Sequence, residues 1–242
     1  MNVDSRELNQ VAAAAGRFDM YSGIHKAVRA AMADALLAVG RMDAEDDLAL
    51  AQATECVMQL LDFCSAHLQH ENEFVHAAIE ARAAGASAAI AHEHEEHQRH
   101  IGQLAAAVGA LRGAPASGRA PLAQALYREL ALFIAANFEH MHQEETAHNT
   151  VLWARYSDAE LVQLHDALIA AIPPQELMDT LRWLVPAMNP GERAALLGDI
   201  RAKAPAPAFQ AIADAAQAQL RPAEWAKLAR ALGLAAAPGL VV

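Results

Sequence analysis

The chain has 242 residues, enough for one large domain or for a domain with a smaller appendage, and either could bury an apolar core unaided. Aromatic residues make up only 5% of the chain and Ala and Leu are abundant, so the composition favours an all-α fold. The 18 Lys and Arg against 29 Asp and Glu give a net charge of −11, which argues against nucleic acid or an anionic membrane surface as partner.

Neither the beginning of the chain nor its two cysteines indicates export. The segment from Met1 to Gln10 has no basic flank followed by an apolar core, and no apolar run reaches the roughly 20 residues that span a bilayer. Cys56 and Cys64 lie in one predicted helix, roughly 12 Å apart along its axis, which is too far for a disulfide. We therefore expect buried thiols, a cytoplasmic location and no membrane contact.

The first two helices are predicted from apolar residues that recur at steps of three and four. The first extends from Arg17 to Val39 and ends at Gly40. The second begins in the acidic stretch 43–47, where carboxylates meet the positive end of the helix dipole, and extends to about Arg82.

Two more long helices follow. Ser87 is the predicted N-cap of the third, which continues to Leu111, and the composition of residues 113–118 predicts a loop. The fourth extends from near Pro121 to His148. Because four long helices joined by short breaks run antiparallel, we predict an up-down four-helix bundle in residues 1–155.

A smaller C-terminal helical region is predicted for residues 156–242, where prolines separate shorter helices. The segments 157–160 and 189–192 match the capping box, with an N-cap side chain and a Glu three residues later. This appendage carries no recognisable chemical motif, and Trp183 and Trp225 are interpreted as packing residues.

Histidine is the unusual feature of the composition, because ten of the 12 histidines fall between His67 and His148. The second and fourth helices each carry a His-x-x-x-Glu pair, whose members share a helix face. With one inward histidine on each of the other helices, the candidate metal ligands are His25, His67, Glu71, His97, His140 and Glu144.

Burying six such polar groups without a cation would cost several kcal/mol each unless they paired among themselves. Imidazole and carboxylate suit iron, manganese or zinc, and carboxylates from two helices can bridge two ions. A single His-x-x-x-Glu pair would more simply indicate a solvated charged face. Two pairs together with two lone inward histidines favour a dinuclear metal site.

Other polar residues near the candidate ligands are expected to have different roles. His70, Glu93, His94 and Glu145 are secondary candidates, either as ligands or as hydrogen-bond partners of ligands, and His94 competes with His97 for the inward position. We expect Tyr21 and both cysteines to be core residues. Surface or hydrogen-bonding positions are expected for His92, His100, His142 and His148, and solvated positions for His76 and His165.

Four motifs occur in order along residues 17–152, and together they resemble the hemerythrin-like, or HHE cation-binding, domain family. They are Gly23-Ile-His25-Lys26, His67-Leu-Gln-His-Glu71, Glu93-His-Glu-Glu-His97-Gln-Arg-His-Ile101 and His140-Met-His-Gln-Glu144-Glu145. The resemblance implies two iron ions, with manganese or zinc as alternatives, bridged by Glu71, Glu144 and an oxo or hydroxo group. It also implies four terminal ligands, which are His25, His67, His97 and His140.

The chain departs from the oxygen-carrying members of that family at two positions. Glu93 stands where those members have the first of two histidines in the third helix, which leaves a coordination position to Glu93 itself, His94, solvent or substrate. Glu144 follows His140 by four residues rather than five, and Glu145 stands at the other spacing. By analogy, these departures favour iron-sensing or redox-active members over a reversible oxygen carrier.

The first functional hypothesis is a non-haem di-iron binding protein that senses or handles dioxygen, peroxide, nitric oxide or iron, with a small diatomic molecule or peroxide as ligand. The sequence favours such a metal-binding or sensor protein over a turnover enzyme. The alternative is a helical protein-interaction module with an adventitious or structural metal, in which the C-terminal helices bind a protein partner. A two-metal hydrolase is weaker, because nothing marks a substrate pocket or general acid. The sequence leaves the oligomeric state open.

Overall fold

The computed structural model describes residues 16–234, so the segment from Met1 to Gln10 and the outer ends of both predicted domains lie outside the described residues. Within that range the chain forms nine helices and no strand, which confirms the all-α prediction. None of the described helices is both long enough and apolar enough to cross a bilayer.

Four long helices, α1 to α4, form the first part of the structure. Helix α1 is Ser22–Arg41 and α3 is Ala88–Gly113. Helices α2 and α4 each continue through an internal π-helical turn. Helix α2 consists of Asp47–His70, the π-helical turn Glu71–His76 and Ala77–Arg82, and α4 consists of Ala116–Gln143, the π-helical turn Glu144–His148 and Asn149–Arg155.

The long helices form an antiparallel bundle, as predicted. Helix α1 packs against α2 and α4, and α3 packs against the same two helices. Hydrogen bonds between α2 and α3 show their opposite directions, because Thr54 pairs with Arg112 whereas Asn72, further along α2, pairs with the earlier residue His94.

Apolar side chains fill the bundle interior on both sides of a polar layer. Tyr21, just before α1, and His25 and Val28 within it are all buried, and His25 is the only strongly polar one of the three. The larger apolar core includes Val28, Met32, Leu60, Leu104, Leu130 and Phe133, and the smaller cluster comprises Tyr21, Val75, Ile79, Leu152 and Leu161. Each large side chain contributes about 1.5 to 3 kcal/mol on burial, so the polar layer is held between two stable apolar layers.

Ser87 occupies the N-cap position of α3, as predicted, but its side chain makes no capping hydrogen bond. Its hydroxyl donates to Glu80 Oε1 at 2.7 Å and caps no backbone N–H of α3. Glu80 also accepts the backbone N–H of Gly85 at 2.6 Å, and these bonds lower the pKa of its carboxyl to about 2. Gly85 takes a φ of +81°, which favours glycine at this turn.

Other local predictions have mixed outcomes. Helix α4 begins at Ala116, so the predicted loop over residues 113–118 is shorter in the structure. Both cysteines are free and Cys64 is buried, which raises the pKa of its thiol to about 12. The predicted burial is wrong for Cys56, which is only half-buried and lies 3.6 Å from Asp34 Oδ2.

The chain divides into two compact units after Ala171, later than the boundary at residue 155 predicted from the sequence. Helix α5, Asp158–Ala171, belongs to the first unit. The capping box predicted at its start is present, since Ser157 and Glu160 exchange hydrogen bonds of 2.8 and 3.3 Å.

The second unit contains four shorter helices: α6 Pro174–Ala187, α7 Pro190–Lys203, α8 Ala206–Gln219 and α9 Pro222–Leu232. The predicted capping box of Asn189 and Glu192 is present at the start of α7. Trp225 is buried in the core of this unit, in agreement with a packing role.

A buried arginine of α7 forms polar contacts with both α6 and α9. Arg193 is 4% exposed, and its guanidinium donates to the backbone oxygens of Val185 and Pro186 at 2.7 and 2.8 Å. It also pairs with Glu224 at 3.2 Å. The guanidinium therefore satisfies carbonyl groups at the end of α6 that no helical hydrogen bond can reach.

We predict that Arg193→Met loosens the second unit, because two buried carbonyl oxygens lose their donor at a cost of about 1 to 3 kcal/mol each. Hydrogen exchange followed by mass spectrometry should show faster exchange in α6 and α7 and unchanged exchange in α1 to α4. Arg182→Met, at a position where the side chain is 64% exposed, is the matched control. Unchanged exchange in α6 would contradict the role given to Arg193.

Candidate metal centre

Two carboxylates face each other in the polar layer of the bundle. Glu71 is 4% exposed and Glu144 is fully buried. Among the described residues, no group forms a hydrogen bond to any of their four oxygens. Because an isolated buried carboxylate is very unfavourable, this pair requires cations or protons close by.

One group of donor atoms lies beside α1 and α2. His25 Nε2 is 3.6 Å from Glu71 Oε1 and 3.4 Å from Glu144 Oε2. His67 Nε2 is 3.4 Å from the same oxygen of Glu71. Donor atoms that each lie about 2.1 Å from one ion are separated from each other by about 3 to 3.5 Å, so these spacings suit a shared cation.

A second group lies beside α3 and α4. His94 Nε2 is 3.7 Å from Glu71 Oε2 and 3.5 Å from Glu144 Oε1. His140 Nε2 lies 3.4 Å from Glu144 Oε2 and 3.0 Å from His94 Nε2. Each carboxylate therefore offers oxygen atoms to both groups, which is the arrangement that bridging carboxylates need.

The pKa values of these buried carboxylates and imidazoles reflect how closely they lie together. Burial and the charge of Glu144 raise the pKa of Glu71 to about 8. Burial also acts to raise the pKa of Glu144, but the close approach of the imidazoles of His140, His25 and His94, at 3.4 to 3.5 Å, outweighs burial and holds that pKa well below its usual value. Burial lowers the pKa of His140, yet the neighbouring carboxylates bring it to about 9. Without a metal, the cluster is held together by protons on its imidazoles.

Glu145 orients His25 from outside the cluster. Its Oε1 lies 2.9 Å from His25 Nδ1, and its carboxylate accepts two hydrogen bonds from Arg29 at 2.6 and 3.1 Å. Burial opposes ionisation of Glu145, but the bonds from His25 and Arg29 lower its pKa to about 2. A carboxylate behind a ligating imidazole fixes the ring and raises its basicity.

Two of the other three imidazoles, His140 and His94, have comparable outer partners. His140 Nδ1 lies 2.8 Å from Glu93 Oε2, and His94 Nδ1 lies 2.8 Å from Asn72 Oδ1. In each case the outer bond directs Nε2 toward the two buried carboxylates. The secondary candidates Glu93 and Glu145 therefore stand behind ligand candidates in the structure.

The two histidine candidates of α3 occupy different places. His94 joins the carboxylates, whereas His97 is buried beside His140, with ring centroids 4.7 Å apart, in a separate group of possible ligands with Glu93. His70 is half-buried and belongs to none of the candidate metal-binding groups found among residues 16–234.

Two histidines of the site were missed by the sequence reasoning. His76 was predicted to be solvated but is only 5% exposed. His148 was predicted to be a surface or hydrogen-bonding residue; it is 2% exposed and pairs with Tyr21 Oη at 3.1 Å, so the second alternative is confirmed. Both histidines stand at the ends of the π-helical turns that begin at Glu71 and Glu144. A π-helical turn holds more residues than the 3.6 of an α-helical turn, so it brings His76, five residues after Glu71, toward the face of that carboxylate. A regular α-helical period would place His76 on a different face of α2.

A groove on the protein surface reaches this site. It has a volume of about 860 Å³, runs between α2 and α3, and has Asn72 and His94 among its lining residues. The groove borders His94, whose side chain is 2% exposed.

The comparisons with known proteins agree with this geometry. The family model described as the hemerythrin HHE cation-binding domain matches residues 18–148, a range that contains every candidate ligand described above. Comparisons with curated proteins and with solved structures gave no match.

We predict that Glu71→Gln stabilises the metal-free protein at high pH. The raised pKa of Glu71 means that the wild type loses stability as the pH rises from about 4.5 through about 8, while the neutral amide does not. Thermal unfolding with chelator present should show a variant melting several degrees higher at pH 9 and close to the wild type at pH 5. Glu73→Gln, an exposed carboxylate in the same turn, should change neither value. Equal shifts at both pH values would contradict the prediction.

Proposed function

The chain belongs to the hemerythrin HHE cation-binding domain family, and we propose that its bundle holds two iron ions bridged by Glu71 and Glu144. The observation that carries this proposal is that two donor groups share these two buried carboxylates, whose oxygens accept no hydrogen bond from the described residues. The four carboxylate oxygens and the Nε2 atoms of His25 and His67 have no hydrogen-bond partner among the described residues, and His94 and His140 pair only with each other through Nε2 at 3.0 Å. Such a set of donors fits a pair of cations better than a packed polar core.

The proposed ligands divide between the two groups. His25 and His67 would hold one ion, and His94 and His140 the other, with one oxygen or both from each bridging glutamate. His97, which the resemblance implies as the ligand from the third helix, borders the second group through the ring of His140. We assign the ligand role to His94 because its Nε2 lies within 3.7 Å of both carboxylates.

We further propose that the protein senses or handles a small molecule such as dioxygen, peroxide or nitric oxide, or senses iron itself. An iron pair, when bound, supplies an exchangeable coordination position and a change of oxidation state. This chain contributes imidazoles backed by Glu145 and Glu93, apolar layers that exclude water, and the groove that borders His94.

Iron loading provides the direct test. We expect anaerobic addition of Fe²⁺ followed by air to give two iron ions per chain, measured by elemental analysis, with near-ultraviolet charge-transfer bands that bleach on reduction with dithionite. Metal analysis of protein isolated without added metal would distinguish iron from manganese or zinc. Stoichiometric iron without such bands would eliminate the bridged di-iron proposal.

Removal of the metal tests whether the site belongs to the fold. Since a cation bound only by the folded state stabilises it, chelator should lower the melting temperature, and re-addition of Fe²⁺ should restore it. A melting temperature unaffected by chelator would instead favour the alternative, a helical interaction module with adventitious metal.

The outer carboxylate Glu145 gives a further prediction. We expect Glu145→Gln to weaken metal binding by about 10- to 100-fold, because His25 loses its charged partner while every proposed ligand remains. Competition of Fe²⁺ or Co²⁺ with a chromophoric chelator measures the affinity. Glu139→Gln, an exposed carboxylate on the same helix, is the matched control and should bind as the wild type does. An unchanged affinity for Glu145→Gln would show that this carboxylate plays no part in metal binding.

A further inference from the structure

The proposed iron pair leaves His76 and His148 unexplained. They lie on α2 and α4, next to the carboxylate of Glu144, and their ligand atoms and one oxygen of Glu144 all lie within 4.8 Å of one another. Among the described residues, neither Nε2 atom has a hydrogen-bond partner.

This arrangement is unfavourable unless something occupies the space between the three groups. A buried polar atom left without a partner costs about 1 to 3 kcal/mol, and two such imidazole nitrogens stand beside a carboxylate here. Apolar residues at both positions would remove that cost and extend the neighbouring cluster of Tyr21, Val75 and Leu152. A cation would satisfy both nitrogen lone pairs and an oxygen of Glu144 together.

The rings are also held in position. His76 stacks on His94, with centroids 4.7 Å apart and planes 22° apart, and meets His148 edge to face at 5.2 Å. Tyr21 Oη lies 3.1 Å from His148 Nδ1. When Nδ1–H donates to the tyrosine oxygen, the lone pair of Nε2 is free to bind a metal, which is the usual arrangement behind a ligating histidine.

We propose that His76, His148 and Glu144 bind a third divalent cation, so that the bundle holds three ions and not two. Two imidazoles and one carboxylate form the donor set of mononuclear zinc or iron(II) sites that keep an open position for water or a small ligand. Glu144 can serve all three ions, because a carboxylate has about four lone-pair sites on its two oxygens. The inference rests on the proposed pair, since Glu144 is shared with it.

Metal counting tests this site. The metal-free full-length protein is titrated with Zn²⁺, and bound ions are counted by native mass spectrometry and elemental analysis. We expect three ions for the wild type and two for His76→Gln and for His148→Gln. His92→Gln, at a position where the side chain is 68% exposed, is the matched control and should bind three.

The outcomes separate this inference from the proposed pair. A wild type that binds two ions overturns the third site and leaves the pair intact, whereas a wild type that binds none overturns both. Variants at His76 and His148 that still bind three ions also overturn the third site. The number of ions bound by the wild type tests the inference by itself. A variant that folds poorly therefore does not prevent the third site from being overturned.

Tyr21→Phe provides a second readout. Loss of the hydroxyl removes the partner of His148 Nδ1 but no proposed ligand. We expect the affinity for the third Zn²⁺ to fall by about 10- to 100-fold while the first two bind as in the wild type. Equal weakening of all three ions would assign Tyr21 a structural role only and would count against the proposed orientation of His148.

Discussion

The burial of Glu71 and Glu144 side by side is the constraint on which the rest of the structure depends. Apolar residues of similar volume often replace a buried ionic group with no loss of stability, so the bundle has no need of these carboxylates for folding. Their burial is tolerated because imidazoles from four helices surround them and because apolar layers above and below fix the helices. The same layers exclude water, which strengthens every electrostatic interaction within the polar layer. A metal-free bundle therefore carries an electrostatic cost that bound cations would remove.

The π-helical turns are the local device that assembles the site. Each begins at one of the two buried glutamates and ends at a buried histidine. Such turns are rare in proteins, and those that occur are frequently found at functional sites. In this bundle the wider turn brings polar groups together that a regular helix would separate. The backbone beyond each turn still packs, as the burial of Ile79 and Leu152 shows.

The regular parts of the structure could be predicted from the sequence, and the irregular parts could not. The 3.6-residue period predicted the long helices and the inward faces of His25, His67 and Glu71, since those residues lie before the π-helical turn of α2 or at its first position. His94 and His97 stand three residues apart and share a broad helix face, so periodicity alone could not decide between them. His76 was misplaced because a π-helical turn leaves no signal in hydrophobic periodicity. Ser87 takes the predicted N-cap position, but its hydroxyl donates to the side chain of Glu80 and so caps no backbone N–H.

The outer partners give the cluster an asymmetry that its inner donors lack. His25 and His140 are each backed by a carboxylate, whereas His94 is backed by the neutral amide of Asn72. His94 also borders the surface groove. In the proposed iron pair, the ion held by His94 and His140 is therefore the nearer to the surface groove, and exchange of a small ligand belongs on that side.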